Sequence, residues 1–216
     1  GSRIHRMIQR RMGSDYHAEV SLQYLYETEN YRILIDGRAD GIIDATESNG
    51  NMETIDEIKG TYREIHRIKE AQQVHLAQAS CYAYFYAKQQ ELSAIRIRIT
   101  YCNMETEELK YFHYEYTIRE LENWFMEIIN SYRRWADFQY EWQDLRQQSI
   151  KQLVFPFPYR EGQKNLVTYV YQTIYHRKKL FIEAPTGVGK TISTVFPSIK
   201  AMGEGKGQRI FYLTAK

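Results

Sequence analysis

The sequence has little cysteine, little proline and almost no net charge. Its 216 residues include two cysteines and four prolines, and its formal net charge is +2. Cys81 and Cys102 are far apart, so they predict neither a disulfide framework nor a cysteine-rich metal site, and a reducing cytoplasm is the expected compartment. No apolar run is long enough to cross a bilayer, so no membrane partner is expected. The balanced charge means that any binding of nucleic acid has to come from a local patch.

A change of pattern near residue 153 predicts two domains. Residues 1–152 contain strand-like segments, a breaker-free helical segment at 67–90 and a long helical stretch at 118–152. The two prolines of "VFPFPYREGQ" mark the boundary. Residues 153–216 then contain a helix at 162–178, an apolar strand "KLFIEA", a glycine-rich loop, a helix and a strand "RIFYLTA". This β-loop-α-β order is typical of the opening of a parallel α/β domain.

Alternating segments in the first domain predict strands with charged residues on defined faces. "AEVSLQYLY", "YRILIDGRADGIIDA" and "TIDEIKG" alternate in this way, with a bend expected at Gly37 or Gly41. "AIRIRITYC" and "LKYFHYEYTI" are expected to pair as a hairpin, and residues 3–12 form a basic amphipathic helix. Glu57 and Lys59 are two residues apart in "TIDEIKG", so they should share one face of the strand.

Acidic residues on two of these strands suggest a site for a hard divalent cation. If the strands are neighbours, Asp40 and Glu57 could converge on one Mg²⁺ or Mn²⁺ ion, because such ions prefer oxygen ligands. Lys59 could then orient the attacking water or stabilise phosphate charge. Asp36 is a rival ligand, since alternation puts it on the same face as Asp40. Alternating Glu and Lys on an exposed strand is also common without any site.

Five short motifs in order resemble the RecB-like branch of the PD-(D/E)XK nuclease superfamily. They are "GSRIHR", "YHAEVSL", "GRADG", "DEIKG" and "HLAQASCYA". The resemblance covers roughly residues 1–115 and implies a restriction-endonuclease-like α/β fold, with a mixed central sheet flanked by helices. It implies metal ligation by His5, Glu19, Asp40, Glu57 and the Ile58 carbonyl, and catalysis by Asp40, Glu57, Lys59, Gln78 and Tyr82. Iron–sulfur members of the branch carry four cysteines that this chain lacks, so no cluster is expected.

The stretch "APTGVGKT" at 184–191 predicts a phosphate-binding loop. It follows an apolar segment and opens a helix, as binding of phosphate by backbone N–H groups requires, although Ala184 stands where the full pattern has its first glycine. Lys190 would reach the β- and γ-phosphates and Thr191 would ligate Mg²⁺. The expected nucleotide-binding residues of the loop are Pro185, Thr186, Gly187, Val188, Gly189, Lys190 and Thr191.

The wording of this loop resembles motif I of superfamily-two DNA helicases, especially the DinG/XPD-like group. Upstream, "YREGQ" with Arg160 and Gln163 is similar to the adenine-reading Q-motif region, and "YLTAK" at 212–216 is similar to motif Ia. The resemblance implies that 153–216 is the start of a RecA-like helicase domain. No D-E-x-H-like motif or arginine finger follows the loop. We therefore expect the N-terminal part of a longer nuclease–helicase, with an incomplete ATP site.

The expected partners are ATP and DNA, preferably single-stranded and without sequence specificity. Arg63, Arg67 and Lys69 follow the "DEIKG" strand, and Arg96 and Arg98 share another strand face, so both groups could contact the phosphate backbone. A bacterial, cytoplasmic repair or recombination enzyme fits these resemblances. Two alternatives stay open: a catalytically inactive nuclease fold that clamps DNA, and an unrelated P-loop ATPase with a β-rich accessory domain.

Overall fold

A computed structural model describes residues 2–214, except for the side chains of Ser2 and Ser48. The chain divides into two compact units, one ending at Arg133 and the other beginning at Arg134. This division falls inside a long helix, upstream of the boundary that the prolines near 153 predict. The assignment of the two units to a nuclease and a helicase domain stays a prediction.

The first unit contains a five-stranded mixed sheet flanked by helices, which is an α/β arrangement. The strands lie side by side in chain order, and they are β1 (Tyr16–Glu27), β2 (Arg32–Ile43), β3 (Thr54–Thr61), β4 (Ala94–Asn103) and β5 (Leu109–Thr117). β3 and β4 are parallel, and the other neighbours are antiparallel. Parallel neighbours need a long crossover, which helix α2 (Gln73–Gln89) provides. The predicted hairpin is confirmed as β4 and β5.

The other helices are α1 (Ser2–Arg10), α3 (Ile118–Gln152), α4 (Gln163–Tyr175) and α5 (Lys190–Gly203). The long helical stretch predicted at 118–152 is confirmed as α3. The helix predicted from residue 67 begins only at Gln73, because the N–H of Gln72 donates to the Tyr101 hydroxyl at 3.0 Å rather than to a helical carbonyl. Among the described residues, no helix is both long and apolar enough to span a membrane.

The two faces of the sheet are covered by different helices. Strand alternation puts Ile55 on one face of β3 and Ile58 on the other. Ile55 belongs to the main core, which also contains the buried side of α2. Ile58 packs in a smaller cluster with Ile4 and Ile8 of α1. α1 and α2 therefore lie on opposite faces of β3.

The second unit contains helices α4 and α5, which pack against each other. The predicted strands at 179–184 and 209–215 are wrong for the described residues, because neither segment forms a strand; Ala215 lies outside the described range. A strand needs a neighbour for its backbone N–H and C=O groups, and neither segment is paired. Their apolar side chains stay in solvent, with Phe181 94% and Leu213 92% exposed. The loop and helix of the predicted β-loop-α-β unit are formed, whereas its strands are not.

Candidate active site

The candidate site lies where β2 separates from β3. The two strands pair only from Gly41 opposite Asp56 to Ile43 opposite Thr54. Asp40 is the next residue of β2, and its Oδ2 accepts the backbone N–H of Ile58 at 2.8 Å. The carboxylate thus bridges the opening between the strands and is held in one orientation. β2 and β3 are neighbours, which is the condition under which the sequence analysis let Asp40 and Glu57 converge on one ion.

Helix α1 brings a histidine to the same carboxylate. Ile4 and Ile8 are buried and anchor the helix against the sheet. His5 lies between them, and its Nδ1 is 3.0 Å from Asp40 Oδ1. The hydrogen bond to Asp40 raises the pKa of His5 above its ordinary value, although burial opposes this effect.

Glu57 and Lys59 share one face of β3, as alternation predicts. Lys59 Nζ lies 2.5 Å from Glu57 Oε1. The Glu57 side chain is only 2% exposed, and its second oxygen, Oε2, is buried without a hydrogen-bond partner. Burial raises the pKa of Glu57 to about 7, and the charge of Asp40 adds to this, while the hydrogen bond from Lys59 opposes it. A buried acceptor left unsatisfied is costly, so it indicates a missing partner.

Helix α2 contributes the two polar residues that the Q-x-x-x-Y spacing predicts. Gln78 Oε1 accepts a hydrogen bond from Lys59 Nζ at 3.1 Å, and Gln78 Nε2 donates to Tyr82 Oη at 3.3 Å. The ammonium group is thus held between Glu57 and Gln78. Asp36, the rival ligand, is exposed and lies four residues from Asp40 along an extended strand, which corresponds to about 13 Å, too far for a shared ion.

Glu19 lies across from Asp40 in an unusual backbone conformation. Its φ of 58° is in the left-handed region, and the β1–β2 pairing is interrupted there. The faces of β1 change at this point: Val20 packs in the main core, whereas Tyr16 donates to Asp56 on the opposite face. Such a conformation in a non-glycine residue is typical of functional sites.

The left-handed turn brings the Glu19 carboxylate near two other potential ligands. Ligand atoms of His5, Glu19 and Asp40 all lie within 4.8 Å of one another. Gln9, which the sequence did not single out, donates to Glu19 Oε1 at 3.2 Å and to the Asp40 carbonyl at 2.9 Å. Arg38 pairs with Glu19 Oε2 at 2.7 Å, so Glu19 already has partners of its own.

Among the described residues, the group whose ligand atoms lie close together is His5, Glu19 and Asp40, and Glu57 is not part of that group. The carboxylates of Glu19 and Asp40 are oxygen ligands of the kind that Mg²⁺ and Mn²⁺ accept, and the imidazole of His5 is a ligand that Mn²⁺ also accepts. Binding of an ion by Glu57, through its unpartnered Oε2, stays a prediction. The N–H of Ile58 is bound to Asp40, and the role of its carbonyl stays a prediction.

The glycines of β2 permit close packing. Both lie inside the strand, which runs from Arg32 to Ile43, and the bend expected at one of them stays a prediction. A Cβ on Gly37 would lie 2.6 Å from the Tyr82 ring, and one on Gly41 would lie 1.9 Å from the Tyr16 hydroxyl. Both glycines therefore let a tyrosine approach the strand beside the candidate site.

β3 carries a second buried acid, which points to the opposite face from Glu57. Asp56 is 0% exposed, and its carboxylate binds the Arg98 guanidinium at 2.8 and 3.0 Å, the Thr100 hydroxyl at 2.6 Å and the Tyr16 hydroxyl at 3.1 Å. The prediction that Arg98 contacts DNA is therefore wrong, because the guanidinium is tied to Asp56. Arg96, the other member of that pair, binds Glu115 at 2.6 Å.

In the second unit, the phosphate-loop residues form a turn that leads into α5. Gly187 and Gly189 have left-handed φ angles of 88° and 79°, which glycine adopts without cost, and α5 begins at Lys190. Lys190 Nζ donates to the carbonyls of Ala184 at 2.8 Å and Pro185 at 3.3 Å. Thr186 is exposed in the same turn.

The two upstream residues of the Q-motif-like stretch reach this loop. Gln163 Nε2 donates to the Val188 carbonyl at 2.9 Å, and Gln163 Oε1 accepts the backbone N–H of Arg160 at 3.0 Å. The Arg160 guanidinium donates to the Gly187 carbonyl. Further along, the Tyr212 hydroxyl is 3.4 Å from Thr191 Oγ1; the last two residues of "YLTAK" lie outside the described residues.

Comparisons with known proteins give a short sequence similarity and distant structural likenesses. No family model matches the chain. A 46-residue stretch is 44% identical to a "Probable ATP-dependent helicase" of Methanocaldococcus jannaschii, and the match covers 21% of this chain and 7% of that protein. The crystal structure of the protein SSO0001 aligns over 61% of this chain and 59% of its own, with a TM-score of 0.37 and 16% identity.

Proposed function

We propose that the first unit is a metal-dependent DNA nuclease that hydrolyses phosphodiester bonds, as the N-terminal part of an ATP-dependent DNA helicase. The observation that carries the proposal is the buried, unpartnered Oε2 of Glu57, which lies beside Lys59 and in the field of Asp40 and His5. A buried carboxylate oxygen without a hydrogen-bond partner is a position that a cation could complete. The motif resemblance supplies the reaction class, because Asp40, Glu57 and Lys59 are the residues on which it rests.

His5, Asp40 and Glu57 would hold the ion, with Glu19 and the Ile58 carbonyl as further ligands. When bound, Mg²⁺ or Mn²⁺ would polarise the scissile phosphate and acidify a bound water. The hydrogen bond from Ile58 N–H fixes the orientation of Asp40 before the ion arrives. His5 has to lose a proton to become a ligand, and Glu57 has to be ionised.

Lys59 would supply positive charge where the phosphate gains negative charge. Its side chain is 25% exposed, which leaves room for a substrate oxygen to approach it. Gln78 holds the ammonium from the other side, and Tyr82 in turn holds Gln78. A charge fixed in place before the reaction stabilises the transition state more than a mobile one does. Gln78 and Tyr82 are therefore positioning residues for Lys59.

For the second unit we propose nucleotide binding. The turn at Gly187 and Gly189, the helix start at Lys190 and the contacts of Gln163 and Arg160 with the loop support this proposal. The similarity of a 46-residue stretch to a probable ATP-dependent helicase also supports it. Binding of ATP would be the role of this unit in a DNA helicase. DNA would then be the partner of both units.

The test is cleavage of end-labelled single-stranded DNA in Mg²⁺ or Mn²⁺ by the wild type, Glu57→Ala and Lys59→Ala. We expect each variant to lower the rate by about 100-fold or more, because Glu57→Ala removes a ligand of the ion and Lys59→Ala removes the positive charge beside the reacting phosphate. Glu115→Gln is the matched control: it removes an acid from an exposed ion pair on the same sheet and should leave the rate unchanged. Equal cleavage by all proteins would contradict the proposal. Binding of DNA without cleavage would favour a non-catalytic clamp.

A further inference from the structure

A deep groove opens directly beyond Lys59. Its volume is about 1110 Å³, and it is lined by the end of β3, by the loop that follows and by the first turn of α2. Small-molecule sites have volumes of about 300–1,000 Å³, so this groove has room for a larger ligand. Its wall begins at Gly60, the residue after Lys59, so the groove lies close to the candidate active site.

The wall carries an aromatic ring in solvent. Tyr62 is 71% exposed, which is unusual for a residue with a large apolar ring. It follows β3 directly and lines the groove. An exposed tyrosine in a concave wall offers a flat face on which an unpaired base can stack.

Cations lie beside that ring. Arg63, Arg67 and Lys69 line the groove together with the acids Glu64 and Glu70. Arg67 forms an ion pair with Glu64, so its charge is already balanced. Within the described part of the chain, neither Arg63 nor Lys69 forms an ion pair. Two cations are thus free to attract an anionic ligand, against the single acid Glu70.

The far wall carries two polar side chains that contact each other. The Tyr101 hydroxyl accepts the N–H of Gln72 at 3.0 Å and lies 2.7 Å from His75 Nδ1. Burial, and then the charge of Lys59, lowers the pKa of His75, which favours the neutral ring. A neutral imidazole forms hydrogen bonds with a ligand without adding charge to the groove.

The groove is connected to the candidate active site by a polar row on α2. His75, Gln78 and Tyr82 are spaced three and four residues apart, so they lie on one helix face. Gln78 binds Lys59, and His75 lines the groove. A ligand that reaches from Lys59 into the groove would meet polar groups along its whole path.

We propose that this groove binds the unpaired nucleotides that flank the scissile phosphate, with one base stacked on Tyr62 and the backbone held by Arg63 and Lys69. This inference rests on the proposed nuclease function, and it makes a single strand the substrate. In a duplex both faces of each base are covered by neighbours, so Tyr62 could not stack. Stacking uses the flat face of a base, and the cations contact phosphates, so neither contact involves the base edges that distinguish one base from another. Binding should therefore depend little on the DNA sequence.

The test is the affinity of the full chain for a short fluorescein-labelled oligothymidylate, measured by anisotropy in EDTA, where cleavage cannot contribute. Tyr62→Ala should weaken binding by about 5-fold to more than 100-fold, the loss expected for one stacked base. Tyr62→Phe, the matched control, keeps the ring and should bind like the wild type. Arg63→Gln should lower the slope of log affinity against log salt by about one.

A strand that contains only abasic sugar–phosphate units separates stacking from any change of fold. It should bind equally to the wild type and to Tyr62→Ala, because no base is left to stack. A Tyr62→Ala protein that binds oligothymidylate as tightly as the wild type would overturn the inference, and so would an equal loss of affinity for both strands. The binding test is independent of cleavage. Tyr62-dependent binding by a protein that cleaves no DNA would support the proposed binding of nucleotides in the groove and contradict the proposed nuclease activity.

Discussion

Asp56 and Glu57 are neighbours on β3 and both are buried acids, but their carboxylate oxygens differ in hydrogen-bond partners. Asp56 points to the face that α1 covers, and both of its oxygens are bound, by Arg98, Thr100 and Tyr16. Glu57 points to the face of α2, where Lys59 binds one oxygen and the other has no partner. One residue along a strand thus separates a satisfied buried charge from an unsatisfied one.

The difference separates a structural acid from a candidate functional acid. A satisfied buried ion pair links strands: Asp56 ties β3 to Arg98 and Thr100 on β4 and to Tyr16 on β1. An unsatisfied carboxylate lowers stability, and it persists where a ligand completes it. Replacing the two acids should therefore have opposite effects on the stability of the metal-free protein.

The largest expected effect on stability comes from Asp56→Asn. It leaves the Arg98 guanidinium, whose side chain is only 14% exposed, without its counter-charge. Breaking a buried pair from one side costs about 3–5 kcal/mol. Urea denaturation followed by circular dichroism, in EDTA, measures the change. Glu115→Gln is the comparison. It removes the charge of Glu115 on β5, which pairs with Arg96 on β4, and should cost less than about 1 kcal/mol. Equal costs for the two variants would remove the distinction between the acids.

Glu57→Gln should stabilise the metal-free protein, but only at pH values high enough to ionise Glu57 in the folded state. The folded protein holds this proton up to a pKa of about 7, against 4.5 for an unperturbed glutamate. Glu57 therefore favours folding fully below pH 4.5, and this contribution is lost as the pH rises through 7. At about pH 8 the variant should be more stable than the wild type by about 3 kcal/mol, the equivalent of that shift.

Near pH 4.5 the same two proteins should unfold at similar urea concentrations, because Glu57 is neutral in the folded state and half ionised in the unfolded chain, which favours unfolding by only about 0.4 kcal/mol. Saturating Mn²⁺ should reverse the order at pH 8, since the ion stabilises the wild type by mass action and the variant much less. A variant that is less stable than the wild type in EDTA at both pH values would show that the ionised Glu57 carboxylate does not lower the stability of the metal-free protein.

A smaller effect is expected for Tyr16→Phe. The change removes one hydrogen bond to Asp56 but keeps the ring that packs over Gly41 and leaves Arg98 and Thr100 in place. We expect a loss of about 1.5–3 kcal/mol, the contribution of a hydrogen bond to a charged group. The affinity for Mn²⁺ should not change, because Tyr16 reaches the face away from Glu57. A changed affinity would mean that the two faces are coupled.

Local patterns in the sequence predicted much of the candidate site. Period-two alternation put Glu57 beside Lys59, and helical spacing put Gln78 beside Tyr82. Both are decided within a few residues, so the sequence is sufficient. The position of Asp40 needed one further assumption, that β2 and β3 are neighbours, and a short connection between them makes that the usual outcome.

Non-local features could not be predicted in the same way. The partners of Asp56 come from two different strands, and Arg98 looked like a surface cation until its partner was known. The unpartnered oxygen of Glu57 depends on burial, which alternation alone does not give. The apolar segments at 179–184 and 209–215 have strand composition, but a strand also requires a paired neighbour, and composition does not reveal whether one exists.

The most direct test of the central claim is a calorimetric titration of Mn²⁺ into the DNA-free protein at about pH 7, the pKa of Glu57, in buffers of different ionisation enthalpy. The wild type should bind the ion and release protons, because Glu57 and His5 must be deprotonated to act as ligands. Glu57→Gln should bind at least about 10- to 100-fold more weakly, the loss already seen when a residue that only orients a ligand is removed. Equal affinity and equal proton release in the two proteins would contradict the assignment of Glu57 as a metal ligand.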